Sequence, residues 1–193
     1  VFLGRCLEEE GAPPYRPWVQ ILRDLLGTRT PTSFDPTLDA SLEAALLTLI
    51  GVDADRAERA PQTPATRFAL FDAVVRVLAG AARERPLLLL LEDLHRADPS
   101  SLRLLHHVVA EIPSLPLMIL GTFRDASRDA SPELMRTLEE LQPAGTRWPL
   151  AGLSLGEVGT LARLLGGSEP PAPLPFALHE RTGGNPLFVE EIT

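Results

Sequence analysis

The sequence predicts an α/β fold: a parallel β-sheet with flanking helices, followed by a small all-helical subdomain. Three observations carry this prediction. Residues 87–91 (LLLLL) form an unbroken apolar run between Pro86 and the acids Glu92 and Asp93, as expected for a strand covered on both faces. A second apolar run, residues 117–120 (LMIL), follows after a helical pattern, so strand, helix and strand alternate, as parallel sheets with crossover helices require. From Leu153 onward the periodicity is helical only.

Taken in order, residues 1–6 (VFLGRC) read as a strand entering an acidic, Pro-rich loop over residues 8–14. Trp18, Ile21, Leu22 and Leu25 recur at helical spacing behind Pro17, and Gly27 supplies a stop. A second helix fits Leu42, Ala45, Leu46 and Leu49, closed by Gly51. Residues 53–62 (DADRAERAPQ) lack an apolar face and read as a surface connection. Thr63 then caps a helix with Pro64 in its first turn, and Phe68, Phe71, Val75 and Leu78 fall on one side of it.

After the leucine strand, Asp98 and Pro99 start a helix with an apolar stripe of Leu102, Leu105, Val109 and Ile112. Ser131 and Pro132 start another, with Leu134, Leu138 and Leu141 facing inward, and residues 146–150 (TRWPL) read as a further, weaker strand. In the helical part, Ser154 with Glu157 is a capping box and Leu153 can staple onto Val158. Two more helices are expected, over residues 174–181 and from Pro186 onward, separated by Gly183 and Gly184. The expected division is therefore an α/β part over residues 1–152 and the start of a helical subdomain over residues 153–193.

Composition narrows the function classes. The chain has 193 residues, of which 45% are hydrophobic and 23% charged, so it can bury a sizeable core. Its formal charge of -8 comes from 26 acidic against 18 basic residues with the signs interspersed, which argues against a groove that tracks nucleic-acid phosphates. One cysteine, Cys6, permits neither an internal disulfide nor a multi-cysteine metal site, and a reducing, cytoplasmic setting fits. No apolar run approaches the length of a bilayer span. All 18 basic residues are arginines. Without a lysine, no G-x-x-x-x-G-K-[ST] phosphate loop can be built from these residues.

The candidate chemistry lies where the leucine strand ends. Parallel sheets place ligands at the C-terminal ends of their strands. Adjacent carboxylates there repel one another unless a cation offsets the charge, and Mg²⁺ bound to a nucleotide would do so. Solvated loop acids are the structural alternative. His95 reads as a loop histidine that caps or packs under the acids, and His106 and His107 as structural or surface residues. A metal-dependent hydrolase built on Glu92, Asp93, His95 and Asp98 is a weaker reading, because all four come from one short loop.

The string LLLLLEDLHRAD resembles the Walker B segment of AAA+/STAND P-loop ATPases, in which a hydrophobic strand runs into two acids and then L-H-x-A-D. It departs at Arg96, where many relatives carry Trp, so a charge replaces a packing contact. By this resemblance Glu92 and Asp93 are metal-site and catalytic residues. Glu92 stands where Mg²⁺ is held and Asp93 where the attacking water is polarised, a division that could be exchanged. The strand LMILGTFRD resembles the sensor 1 strand, which puts Thr122 and Arg124 near the terminal phosphate; an arginine fork suits phosphate oxygens. GGNPLFVEEI is similar to the G-x-P element of the helical lid. There Asn185 and Pro186 are first a helix start and, by resemblance, residues that meet the base.

The resemblance covers almost the whole chain, VFLGRC and PYRPW included, and implies a P-loop NTPase-like sheet of strand order 5-1-4-3-2 whose first strand and phosphate loop lie upstream. It assigns residues 1–6 to strand 2, 87–91 to strand 3, 117–121 to strand 4 and 146–150 to strand 5. Strands 4 and 5 would then show unpaired edges, and the segment alone is expected to be sticky and inactive. The implied function is an ATP-binding, slowly hydrolysing regulatory switch with Mg²⁺, in a larger bacterial signalling or transcription-regulating protein such as a LuxR-type regulator or a cyclase- or kinase-linked ATPase. ATP and other domains of the same polypeptide are the implied partners, with self-association open and neither nucleic acid nor membrane contacted. The alternative is a degenerate ATPase fold that binds proteins and performs no nucleotide chemistry.

Overall fold

The computed structural model describes residues 1–7, 13–51, 63–111, 115–124 and 132–193. Most of the loop expected over residues 8–14, the connection over residues 53–62, Ile112 and Ser131 lie outside these described residues. The described chain divides into two compact units, Val1–Gly145 and Thr146–Thr193.

The first unit holds β1 (Phe2–Arg5), α1 (Arg16–Leu26), α2 (Ala40–Leu49), α3 (Pro64–Glu84), β2 (Leu87–Glu92), α4 (Pro99–Glu111), β3 (Leu117–Gly121) and α5 (Pro132–Leu141). Its three strands form a parallel sheet in the order β1-β2-β3. Helices fill both crossovers, as the alternating pattern requires.

Most helix ends follow local signals. Pro17 sits in the first turn of α1, and Gly27 ends it at φ 56. Thr63 caps α3 by accepting the Thr66 N–H at 3.2 Å, with Pro64 in the first turn. Gly4 has a different reason: a Cβ there would overlap the Pro17 carbonyl oxygen, so β1 approaches α1 closely only as glycine.

The core joins Phe2, Trp18, Leu22, Leu46, Phe71, Val74, Leu78, Leu89, Leu91, Leu102 and Leu134 in one cluster. Three expectations need correction. Phe68 is exposed, and α3 buries Phe71, Val74, Val77 and Leu78 instead, because its second half is covered around more of its circumference than one stripe. The leucine strand is fully buried on one face only: Leu87, Leu89 and Leu91 are in the core, whereas Leu88 and Leu90 are half-buried. In the parallel register Leu3 pairs with Leu90 and Met118 with Leu88, and both Leu3 and Met118 are exposed, so that face is only partly covered among the described residues. Residues 146–150 form no strand, and Leu150 is 96% exposed. A strand exists only through a partner, and the resemblance would pair this segment with a strand that the sequence does not contain.

The second unit holds α6 (Leu155–Gly166), α7 (Pro173–Thr182) and α8 (Pro186–Ile192). Both halves of the Ser154–Glu157 capping box form, and Leu153 packs against the small cluster of Val158, Ala162, Leu178 and Val189. Gly184, at φ 76, lies against the Leu153 backbone where a Cβ would collide.

Candidate functional site

Glu92 is the last residue of β2, and Asp93 follows it outside any helix. Asp93 is left-handed, at φ 58 and ψ 44, a region sparsely used by residues other than glycine. Its N–H donates to Thr122 Oγ1 at 3.2 Å, and the next N–H, of Leu94, donates to the Thr122 carbonyl at 2.8 Å. Thr122 in turn donates its N–H to the Leu91 carbonyl at 2.9 Å. The turn after β2 is thereby stitched to the residue after β3, and the backbone strain at Asp93 is offset by bonds from a neighbouring strand.

The loop then enters a short 3₁₀ turn, Leu94–Arg96. His95 is buried, and its Nδ1 accepts the Arg124 N–H at 3.4 Å, while Nε2 has no partner among the described residues. The buried ring thus ties the loop after β2 to the chain at Arg124. Arg96 is exposed.

Asp98 is occupied by structure. Its Oδ1 accepts the N–H groups of Ser100 and Ser101 at 2.9 and 3.0 Å, capping α4, and its Oδ2 accepts the Tyr15 N–H at 3.2 Å. Tyr15 is the other residue besides glycine with a left-handed backbone among the described residues, at φ 65, so Asp98 secures the entry to α1 as well. Trp18 Nε1 reinforces the same contact by donating to the Ser101 carbonyl at 3.1 Å. The hydrolase reading of this loop loses its fourth ligand, because the Asp98 oxygens already serve these donors. His106 and His107 belong to no such ligand group among the described residues: the His107 ring lies tilted against Phe71 with centroids 5.4 Å apart, and His106 lies 3.5 Å from Glu140.

Arg5 is the site residue that sequence reasoning missed. Its Nε and Nη2 both donate to Glu92 Oε2, at 2.8 and 2.6 Å. The register explains this, since Arg5 is directly opposite Glu92 at the ends of β1 and β2. Hydrogen bonding to Glu92 and then its Coulombic pull raise the Arg5 pKa above the usual guanidinium value. A basic residue closing the VFLGR run was the available signal, but it acquires meaning only once the register is known.

Burial pushes the nearby Cys6 thiol up to about 12, with the charges of Asp98 and Asp93 adding to the effect. Cys6 therefore stays a neutral core thiol rather than a nucleophile.

Glu92, Asp93, Thr122 and the Arg124 backbone thus converge at the C-terminal ends of β2 and β3. Asn185 and Pro186 belong to the second unit. There Asn185 accepts the Leu187 N–H at 3.0 Å as the cap of α8, and Pro186 is its first residue. Two adjacent carboxylates suit a cation that takes most of its remaining ligands from water and phosphate, as nucleotide-bound Mg²⁺ does. Among the described residues no group of three or more His, Cys, Asp or Glu is arranged to hold a metal by protein ligands alone.

The family model for the AAA ATPase domain matches residues 1–120, which includes both acids but not Thr122, Arg124, Asn185 or Pro186. Comparison with curated proteins and with solved structures returned no match. No helix of the described residues is long and apolar enough to cross a membrane. With a family match over most of its length, and a parallel sheet that delivers two acids to its C-terminal edge, the chain belongs to the AAA ATPase domain family.

Proposed function

We propose that this chain is the nucleotide-binding part of an ATP-dependent regulatory switch that hydrolyses slowly within a larger signalling or transcription-regulating protein. The observation that carries the reading is the fixed turn of Asp93 at the end of the leucine strand, with Thr122 beside it and Glu92 before it. In this reading Glu92 faces nucleotide-bound Mg²⁺. Asp93 polarises the attacking water, its backbone held by Thr122 so that the carboxylate keeps one direction. Arg124 and Thr122 attend the terminal phosphate, and Asn185 and Pro186 the base. Bound Mg²⁺ supplies the positive charge that offsets both the phosphate and the adjacent acids.

The reading requires a segment with a G-x-x-x-x-G-K-[ST] loop in the polypeptide preceding Val1. The partly covered sheet face with exposed Leu3 and Met118, and the β3 edge left unpaired among the described residues, support such a segment. A second reading, a degenerate module that binds proteins without nucleotide chemistry, draws support from the Arg5–Glu92 pair, which occupies one of the two acids.

Nucleotide binding and turnover of the full-length polypeptide and of its Asp93→Asn variant separate the two. The switch reading expects ATP to bind both proteins and turnover to fall roughly 10²-fold or more in the variant. Equal turnover removes Asp93 as the base, and absence of ATP binding by the unmodified polypeptide favours the interaction module.

A further inference from the structure

We infer that Arg5 is an internal counter-cation for Glu92: it holds the carboxylate while no divalent ion is bound, and Glu92 engages a metal only by exchanging the guanidinium for it. The inference rests on the proposal that Glu92 meets nucleotide-bound Mg²⁺.

Three features favour exchange over a permanent structural bridge. First, both Arg5 donors converge on one oxygen, Glu92 Oε2, so the contact is a single-oxygen clamp rather than a two-oxygen fork. Second, the side chains of Arg5 and Glu92 are 55% and 33% exposed, and ion pairs that open to water are weak enough to be displaced. Third, the backbone beneath the pair is tied independently of it. The Arg5 N–H donates to Gln20 Oε1 at 2.7 Å, and the Cys6 N–H donates to the Glu92 carbonyl at 2.9 Å. The two heads can therefore part while β1 and β2 stay paired.

Asp93 also contributes to the attraction that keeps Arg5 charged, so the guanidinium partly neutralises both acids. Without it, two adjacent carboxylates would repel each other at the strand end. A divalent ion offers twice the charge to the same oxygens, and the freed guanidinium remains beside the site. Arg5 is thus a positioning residue that sets the metal affinity of Glu92.

The test is a Mn²⁺ titration of the nucleotide-loaded full-length polypeptide, followed by electron paramagnetic resonance, for the unmodified protein and for Arg5→Ala, Arg5→Lys and Glu92→Gln. Arg5→Ala is expected to tighten Mn²⁺ binding roughly two- to fivefold at low salt, with the gain shrinking as salt screens the pair in the unmodified protein. Arg5→Lys, which keeps the charge but loses the paired donors on Glu92 Oε2, should fall between the unmodified protein and Arg5→Ala. Should Arg5→Ala not fold, as judged by its thermal transition, Arg5→Gln replaces it with the same expectation. Unchanged or weaker Mn²⁺ binding without Arg5, while Glu92→Gln abolishes it, overturns the counter-cation role alone. Mn²⁺ binding that is undiminished in Glu92→Gln, or absent from the unmodified protein, removes the metal role of Glu92 and this inference with it.

Discussion

The two units keep their form by different means. In Val1–Gly145, buried side chains far apart in sequence meet in one cluster, so that Trp18, Leu46, Val74, Leu89 and Leu134 share a core. In Thr146–Thr193 the buried hydrophobics among the described residues are Val158, Ala162, Leu178 and Val189, while Leu164, Phe176, Leu187 and Phe188 are exposed. The second unit's helices therefore depend heavily on their ends: the Ser154–Glu157 box, the Asn185 cap and the left-handed glycines Gly167 and Gly183. The lesson is that burial supports the unit carrying the acids, and local hydrogen bonding supports the other.

The sharpest way to break this contrast is Trp18→Ala. The indole is essentially inaccessible and its N–H serves the Ser101 carbonyl, so truncation leaves a cavity and an orphaned acceptor. A loss of about 3–5 kcal/mol is expected from urea unfolding of Val1–Gly145. A loss under about 1 kcal/mol would mean that α1 is not integral to the core.

A smaller effect is expected at acid pH. Arg76, followed by the Thr37 hydroxyl, holds the Asp35 carboxyl down at about 2, below its ordinary 3.8. A folded value below the unfolded one contributes stability that is complete above about pH 4 and is lost as the pH falls through about 2. The pair ties the segment before α2 to α3, so unfolding midpoints measured from pH 5 to 2 should fall more steeply in the unmodified protein than in Asp35→Asn. The difference should be about 1–2 kcal/mol. Parallel curves would show that the ion pair is not part of what holds this unit.

The smallest effect is expected in the second unit and should remain there. Ser154→Ala removes the cap of α6 and should cost about 1 kcal/mol, seen as faster amide hydrogen exchange in the first turn of α6 with β2 unchanged. Faster exchange in β2 would contradict the separation of the two units' sources of stability.

These contrasts match what could be read in advance. Thr63 with Pro64, Ser154 with Glu157 and Asn185 with Pro186 announce helix starts because each bond spans two or three residues. The leucine run and its two acids were likewise legible as a strand and its end. Where the reading failed, the decision depended on distant partners. Residues 146–150 were read as a strand but pair with none of the described strands, and Phe68 had helical spacing but stays exposed. Leu88 and Leu90 are as apolar as Leu89, yet only the structure shows which face of the strand the helices cover.

At the candidate site the sequence by itself determined which groups are present: two acids after an apolar strand, a histidine and a helix-capping aspartate behind them, and a threonine and an arginine after the next strand. Tertiary structure alone decided their partners. It set Arg5 on Glu92 across 87 residues, Thr122 under the Asp93 N–H across 29, and Asp98 on the Tyr15 N–H across 83. The physical reason is range. A cap bonds within its own turn and is written in adjacent letters, whereas the register of a parallel sheet emerges only when crossover helices have packed and brought separate strand ends side by side.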